Sequence, residues 1–141
     1  RGSICADDEG TPAARTTLIE DVSVPRSALP AMFDEIARIE QAYGIRIPTV
    51  AHAGDGNLHP SVLCDLSDPG QEKLAHEVVG EIFAVALAVG GTLSGEHGIG
   101  MKRVEYMEAY TDPVELELMK TIKTAMDPEW ILNPGKVISA E

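Results

Sequence analysis

The chain has 141 residues, 44% of them hydrophobic and 24% charged, which suits one globular domain with its own core. Its 11 basic residues against 23 acidic ones give a formal net charge of −12, so a nucleic-acid partner, which needs clustered Lys and Arg, is excluded as a reading. Cys5 and Cys64 form no CxxC pair, no leader is read, and the longest apolar run, Ile82 to Val89, is too short for a bilayer; the expectation is a reduced, cytoplasmic setting without direct membrane insertion.

Residues 1–14 (RGSICADDEGTPAA) are small, polar and aperiodic, so an irregular segment 1–15 is expected ahead of a domain at 16–141. Thr16 to Val24 is rich in β-branched residues and reads as a strand closed by Pro25. Ser27 is the expected N-cap of a helix whose apolar positions are Leu29, Met32, Phe33, Ile36 and Ile39, ending at Gly44. Ile45 to Ala53 and Leu58 to Leu66 read as two strands around a glycine-rich turn. Asp68-Pro69 opens the next helix, with Asp as cap and Pro at the first helical position. Its apolar stripe is Leu74, Val78, Ile82, Val85 and Val89, stopped by Gly90-Gly91, and Thr92 to Ser94 starts a short fourth strand.

The order is βαββαβ, so the expected fold is α+β: a ferredoxin-like antiparallel sheet with helices on one face. A C-terminal helical extension follows, from Met101 to Tyr110 and again from Asp112-Pro113, where Glu115 completes a capping-box pattern. Leu118, Met119, Ile122 and Met126 give the last helix an apolar side, and Asp127 to Lys136 reads as an extended, proline-bounded tail.

The stretch AHAGDGNLH, residues 51–59, places His52 and His59 on either side of a turn. With Asp55-Gly56 at the tip of a two-residue turn, Ala53 faces Leu58 and His52 faces His59. The same register sets Arg46 opposite Asp65, Ile47 opposite Cys64 and Thr49 opposite Val62. One face is then apolar, and the histidine face is expected to stay clear of the helices. Opposed residues have Cβ atoms roughly 4.5–5.5 Å apart, close enough for both imidazoles to reach one ion at about 2.0–2.1 Å. Two histidines at a hairpin tip are, however, more often surface residues than ligands. Pro48 and Pro60 are the weak points of the pairing.

GEHGIG, residues 95–100, follows the fourth strand, and its glycines permit close approach of another backbone or ligand. A loop that merely needs glycine for its bends is the plain alternative, and His76 reads as a surface histidine. Together the two segments supply His52, His59, Glu96 and His97. Two His and a carboxylate suit Zn²⁺ or another divalent ion, with one histidine left as a base. In a simple ferredoxin-like sheet, strand one separates strands three and four, which leaves Glu96 roughly 10 Å from His59.

HAGDGNLH, GEHGIG and Leu132-Asn133-Pro134-Gly135-Lys136-Val137, with EDVSVPRS at residues 20–27, resemble the C-terminal domain of FAD-linked oxidases of the vanillyl-alcohol oxidase type. The likeness covers about residues 18–138 and includes the flavin subunit of bacterial glycolate oxidase and the D-lactate and D-2-hydroxyglutarate dehydrogenases. It implies oxidation of a small 2-hydroxy acid to the 2-oxo acid with FAD as electron acceptor. It also implies a divalent metal, Zn or Mn, on His52, His59 and Glu96, and His97 as catalytic base. Asn133 and Lys136 match a terminal motif that lies near the flavin.

The family's FAD-binding domain, the expected partner, is not contained in this sequence, nor is the segment whose arginine usually holds the substrate carboxylate. Ser61 stands where dehydrogenase relatives often carry Asn. The expectation is therefore a fragment, inactive by itself. A non-catalytic metal- or partner-binding module of the same fold is the alternative.

Overall fold

The structure, a computed structural model, describes residues 16–139; the segment 1–15 expected to be irregular, with Cys5, lies outside the described residues. Four strands form an antiparallel sheet centred on β4 (Asn57–Cys64). On one side of it lie β1 (Thr16–Ile19) and β2 (Val22–Ser23). Both keep one register against β4, with Ile19 level with Ser61 and Val22 level with Leu58. The expected single strand is interrupted at Glu20–Asp21, where it meets Pro60. Glu20 N–H donates to Pro60 O at 2.9 Å, but proline has no N–H to return the bond. The ladder lapses there, and the shared register leaves Asp21 level with His59.

On the other side β3 (Thr49–His52) pairs with β4. It is shorter than expected because Pro48 cannot donate and Ile47 N–H is taken by the Glu40 carboxylate at 2.6 Å. Its register also differs from the expected one by two residues: His52 lies opposite Asn57 and Val50 opposite His59. Thr49 faces Pro60 rather than Val62, and Arg46 O accepts from Leu63 N–H, so Arg46 is not level with Asp65. The loop is Ala53–Gly56, and Gly56 sets it. Its φ of 79° and its carbonyl bond from Val24 N–H (2.9 Å) place it where an added Cβ would meet Val24 O at 2.1 Å. A slip of two residues preserves the faces of a strand. Leu58, Pro60, Val62 and Cys64 thus remain on one face of β4, and Asn57 and His59 on the other.

The fourth strand of the ferredoxin order shrinks to one bridge, Thr92 to Ser23. Gly91 runs so close to Ser23 O that a Cβ would come within 2.3 Å of it, and beyond Thr92 the chain leaves the sheet edge.

Helix α1 (Leu29–Tyr43) and helix α2 (Pro69–Ala88) pack side by side, and α2 lies across β2 and β4. Ser27 does not cap α1; it lies in a 3-10 turn, Arg26–Ala28, closed by Ala28 N–H on Pro25 O, and Pro30 sits harmlessly in the first helical turn. Gly44 ends α1 at φ 64°, and Asp68 caps α2 by accepting from Gly70 and Gln71 N–H, as the sequence predicts.

The core joins Val22, Leu58, Val62 and Cys64 to Met32, Ile36 and Ile39 of α1 and to Val78, Ile82, Phe83 and Ala86 of α2. Each large side chain fully buried there contributes about 1.5–3 kcal/mol. Leu74, Val85 and Val89 are only half-buried, because the buried side of α2 turns toward Ala75, Val79 and Phe83 instead.

Helix α3 (Val104–Tyr110) begins later than expected and sets Tyr106 against Phe83, ring centres 4.8 Å apart. Helix α4 (Pro113–Met126) is capped by Asp112, which accepts from Val114 N–H at 2.8 Å. Of its expected apolar side only Met119 packs against the core; Leu118, Ile122 and Met126 are exposed. No helix among the described residues is long and apolar enough to cross a membrane.

Candidate functional site

His52 ends β3, His59 lies inside β4, and Glu96 and His97 belong to the loop after Thr92. The separation expected from strand spacing does not occur, because that loop folds back over the face of the sheet away from the helices. Glu96 Oε1 lies 3.1 Å from His59 Nε2, 3.4 Å from His52 Nε2 and 3.9 Å from His97 Nε2. The His59 and His97 rings stack at 4.8 Å, and His52 meets His59 edge-on at 5.4 Å. His59 is buried, its side chain 10% exposed, while the other three are open to solvent.

One residue accounts for the return of the loop. Asp21, fully buried, accepts through Oδ2 from Ser94 Oγ (2.7 Å) and from the N–H groups of Gly95 (2.8 Å), Glu96 (2.9 Å) and His97 (2.7 Å). Successive N–H groups wrapped on an anion form a nest. Burial pushes the Asp21 carboxyl up, but these bonds outweigh it and bring the pKa down to about 2. Gly95 is required by the approach: an added Cβ would lie 2.5 Å from Asn57 Oδ1 and 2.8 Å from Ser23 Oγ.

The far side of the loop is held by Arg103, whose Nη1 donates to Gly98 O at 2.7 Å and whose Nε donates to Glu20 at 2.9 Å. Burial raises the Glu20 carboxyl and Arg103 offsets only part of that. Asp21 and Arg103 are absent from the residues picked out of the sequence as site residues. The available signal was an acidic pair, Glu20-Asp21, inside a stretch of strand formers.

His52, His59 and Glu96 offer ligand atoms within 4.8 Å of one another. Tetrahedral ligands at about 2.0–2.1 Å from Zn²⁺ stand roughly 3.4 Å apart, close to the 3.1 and 3.4 Å from Glu96 to the two imidazoles. The donor set and its spacing fit a divalent ion. Asp21, His59 and His97 form an overlapping group, in which Asp21 has only Oδ1 to offer because Oδ2 is committed to the loop.

Asn133 and Lys136 are exposed and pair with each other, Nζ to Oδ1 at 3.1 Å, while Val137 N–H bonds Gly100 O at 2.8 Å and ties the tail to the end of GEHGIG. His76 is exposed on α2, as read from the sequence.

A model of the family described as FAD linked oxidases, C-terminal domain, matches residues 1–137. The chain belongs to that family. This FAD linked oxidase domain is 44% identical over 118 residues to glycolate oxidase subunit GlcD of Escherichia coli strain K12, across 84% of this chain and 24% of that protein. It is 36% identical over 121 residues to the mitochondrial D-lactate dehydrogenase (cytochrome) of Arabidopsis thaliana, across 86% of this chain and 21% of that one. The domain thus spans roughly a quarter of the length of the curated relatives it matches.

Among solved structures it matches the isoeugenol complex of 4-ethylphenol oxidase from Gulosibacter chungangensis, with a TM-score of 0.60 and 22% identity. That match covers 86% of this chain and 24% of the other, and is a likeness of fold. The resemblance carried by the three motifs and the α+β expectation are both borne out.

Proposed function

We propose that this FAD linked oxidase domain supplies the substrate and metal site of an FAD-dependent enzyme that oxidises a small 2-hydroxy acid, of glycolate or D-lactate type, to the 2-oxo acid. The observation that carries the reading is the convergence of His52 Nε2 and His59 Nε2 on Glu96 Oε1, with His97 stacked alongside. His52, His59 and Glu96 would hold the ion, Zn or Mn. When bound, the ion supplies Lewis acidity toward the substrate hydroxyl, and FAD supplies the two-electron acceptor.

His97 takes the hydroxyl proton at Nε2 as general base, a role to which imidazole is suited near neutral pH. Its backbone is fixed by Asp21 and its ring by His59, so the base is held before substrate arrives. The open side of the cluster is where an FAD-binding domain of the same enzyme would close over it. Asn133 and Lys136, carried on the tail tied to Gly100, would lie toward the flavin.

The test is the metal content and turnover of the intact protein with glycolate and D-lactate. One Zn or Mn per chain, lost in both His59→Ala and Glu96→Ala, is expected. His97→Gln should keep the ion and lower kcat by about 10²–10⁴-fold, the usual worth of a positioned base. Full metal content in both ligand variants would overturn the assignment, and no turnover of either acid by wild type would favour a non-catalytic module.

A further inference from the structure

The Asp21 carboxylate uses its two oxygens unequally. Oδ2 accepts all the loop bonds, while Oδ1 is buried and without a hydrogen-bond partner. His59 Nδ1 is likewise buried and without a partner, and it lies 3.7 Å from that Oδ1. Buried polar atoms are nearly always satisfied, and this donor-capable nitrogen and this acceptor oxygen face each other across one rung of the sheet. At 3.7 Å the bond is not yet made. The other nitrogen of the same ring, Nε2, points to Glu96.

We infer that Asp21 is a positioning residue with two tasks. Through Oδ2 it brings Glu96 and His97 over the sheet, and through Oδ1 it holds the His59 proton on Nδ1, so that Nε2 presents its lone pair. Ligating histidines commonly donate their second ring N–H to a carboxylate, which fixes tautomer and ring orientation. The inference rests on the reading of His59 as a ligand. It goes beyond that reading by assigning its orientation to a residue 38 positions earlier in the chain.

Asp21→Asn separates the two tasks. Its remaining oxygen can accept the loop bonds, but its amide then aims a donor at His59 Nδ1. The His59 proton is driven to Nε2, where it blocks a ligand. Ser94→Ala is the control, removing the bond to Asp21 Oδ2 and the one Ser94 Oγ accepts from Gly98 N–H without touching the His59 side.

The intact protein carries ¹⁵N-labelled histidine and is loaded with Zn²⁺, so that an ion rather than a proton can lie between Nε2 and Glu96. Long-range ¹H–¹⁵N spectra should then show His59 protonated at Nδ1 in wild type and at Nε2 in Asp21→Asn at the same Zn²⁺ concentration. Co²⁺ titration should show affinity about 10–100-fold weaker in Asp21→Asn, with an altered d–d spectrum. Ser94→Ala should stay close to wild type in both.

An unchanged tautomer, or Co²⁺ affinity and spectrum equal to wild type in Asp21→Asn, overturns the inference while leaving the ligand set intact. A wild type that takes up no Co²⁺ overturns the ligand reading and this inference together. Should Asp21→Asn fail to fold, the wild-type spectrum still decides: His59 protonated at Nε2 is incompatible with the proposal.

Discussion

Two aspartates in this domain hold a loop by the same device in different surroundings. Asp21 lies inside the sheet and gathers Gly95, Glu96 and His97 by their N–H groups. Asp127, just past α4, gathers Ile131 and Leu132 the same way (3.2 and 2.9 Å) and takes a bond from Lys123 at 2.6 Å. The first anchor rests on residues distant in sequence and carries the histidine cluster. The second is local, with Lys123 four residues before it, and carries an exposed tail beside an exposed apolar stripe. A carboxylate in a nest is a general means of ordering a loop; both aspartates are buried, so sequence distance and what the loop carries decide what the loss of each costs.

That contrast can be tested by substitution. The largest effect belongs to Arg103→Ala, which breaks the far anchor of the loop and strands Glu20 in the interior. Removing one partner of a buried pair costs about 3–5 kcal/mol. Urea unfolding should show this, and Glu20→Gln with Arg103→Met should recover most of it.

Asp21→Ala follows, at about 3 kcal/mol, since its loop donors lose their acceptor in a buried place. A loss within about 0.5 kcal/mol, the range of ordinary surface changes, would mean that water replaces the carboxylate and that the two anchors are equivalent.

Asp127→Asn should cost clearly less, and its effect should depend on pH. The Lys123 bond holds the Asp127 carboxyl below its ordinary value against the effect of burial, with help from Leu132 and Ile131 N–H. A depressed carboxylate contributes stability above about pH 4 that is lost as pH falls through the folded value. The Tm difference between wild type and Asp127→Asn should therefore be present at neutral pH and shrink toward pH 3. A difference that grows on acidification contradicts the assignment. Smallest is Ile122→Ala, on the exposed stripe of α4, within about 0.5 kcal/mol by the same urea measurement.

Much of the fold was legible because its signals are local. Asp68-Pro69, Asp112-Pro113 and Gly44 act within one helical turn and mark helix ends where the structure has them. Periodicity identified Met32, Ile36 and Ile39 as core, but it misjudged most of α4, where Met119 packs against the core while Leu118, Ile122 and Met126 are spaced for burial without a neighbour among the described residues to bury them. The hairpin register was two residues off because Gly56 is set by its contact with Val24, a residue of another segment.

By itself the sequence determined the order of elements, the helix caps, the motifs that resemble the FAD linked oxidases, and the residue types able to hold an ion. Only the tertiary structure decided that Glu96 reaches His59, since that depends on hydrogen bonds that Asp21 accepts from residues 74 to 76 positions away. Caps and periodicity express themselves over a few residues, whereas a site built across a sheet exists only once the strands have set their register and one buried carboxylate has drawn the loop back over them.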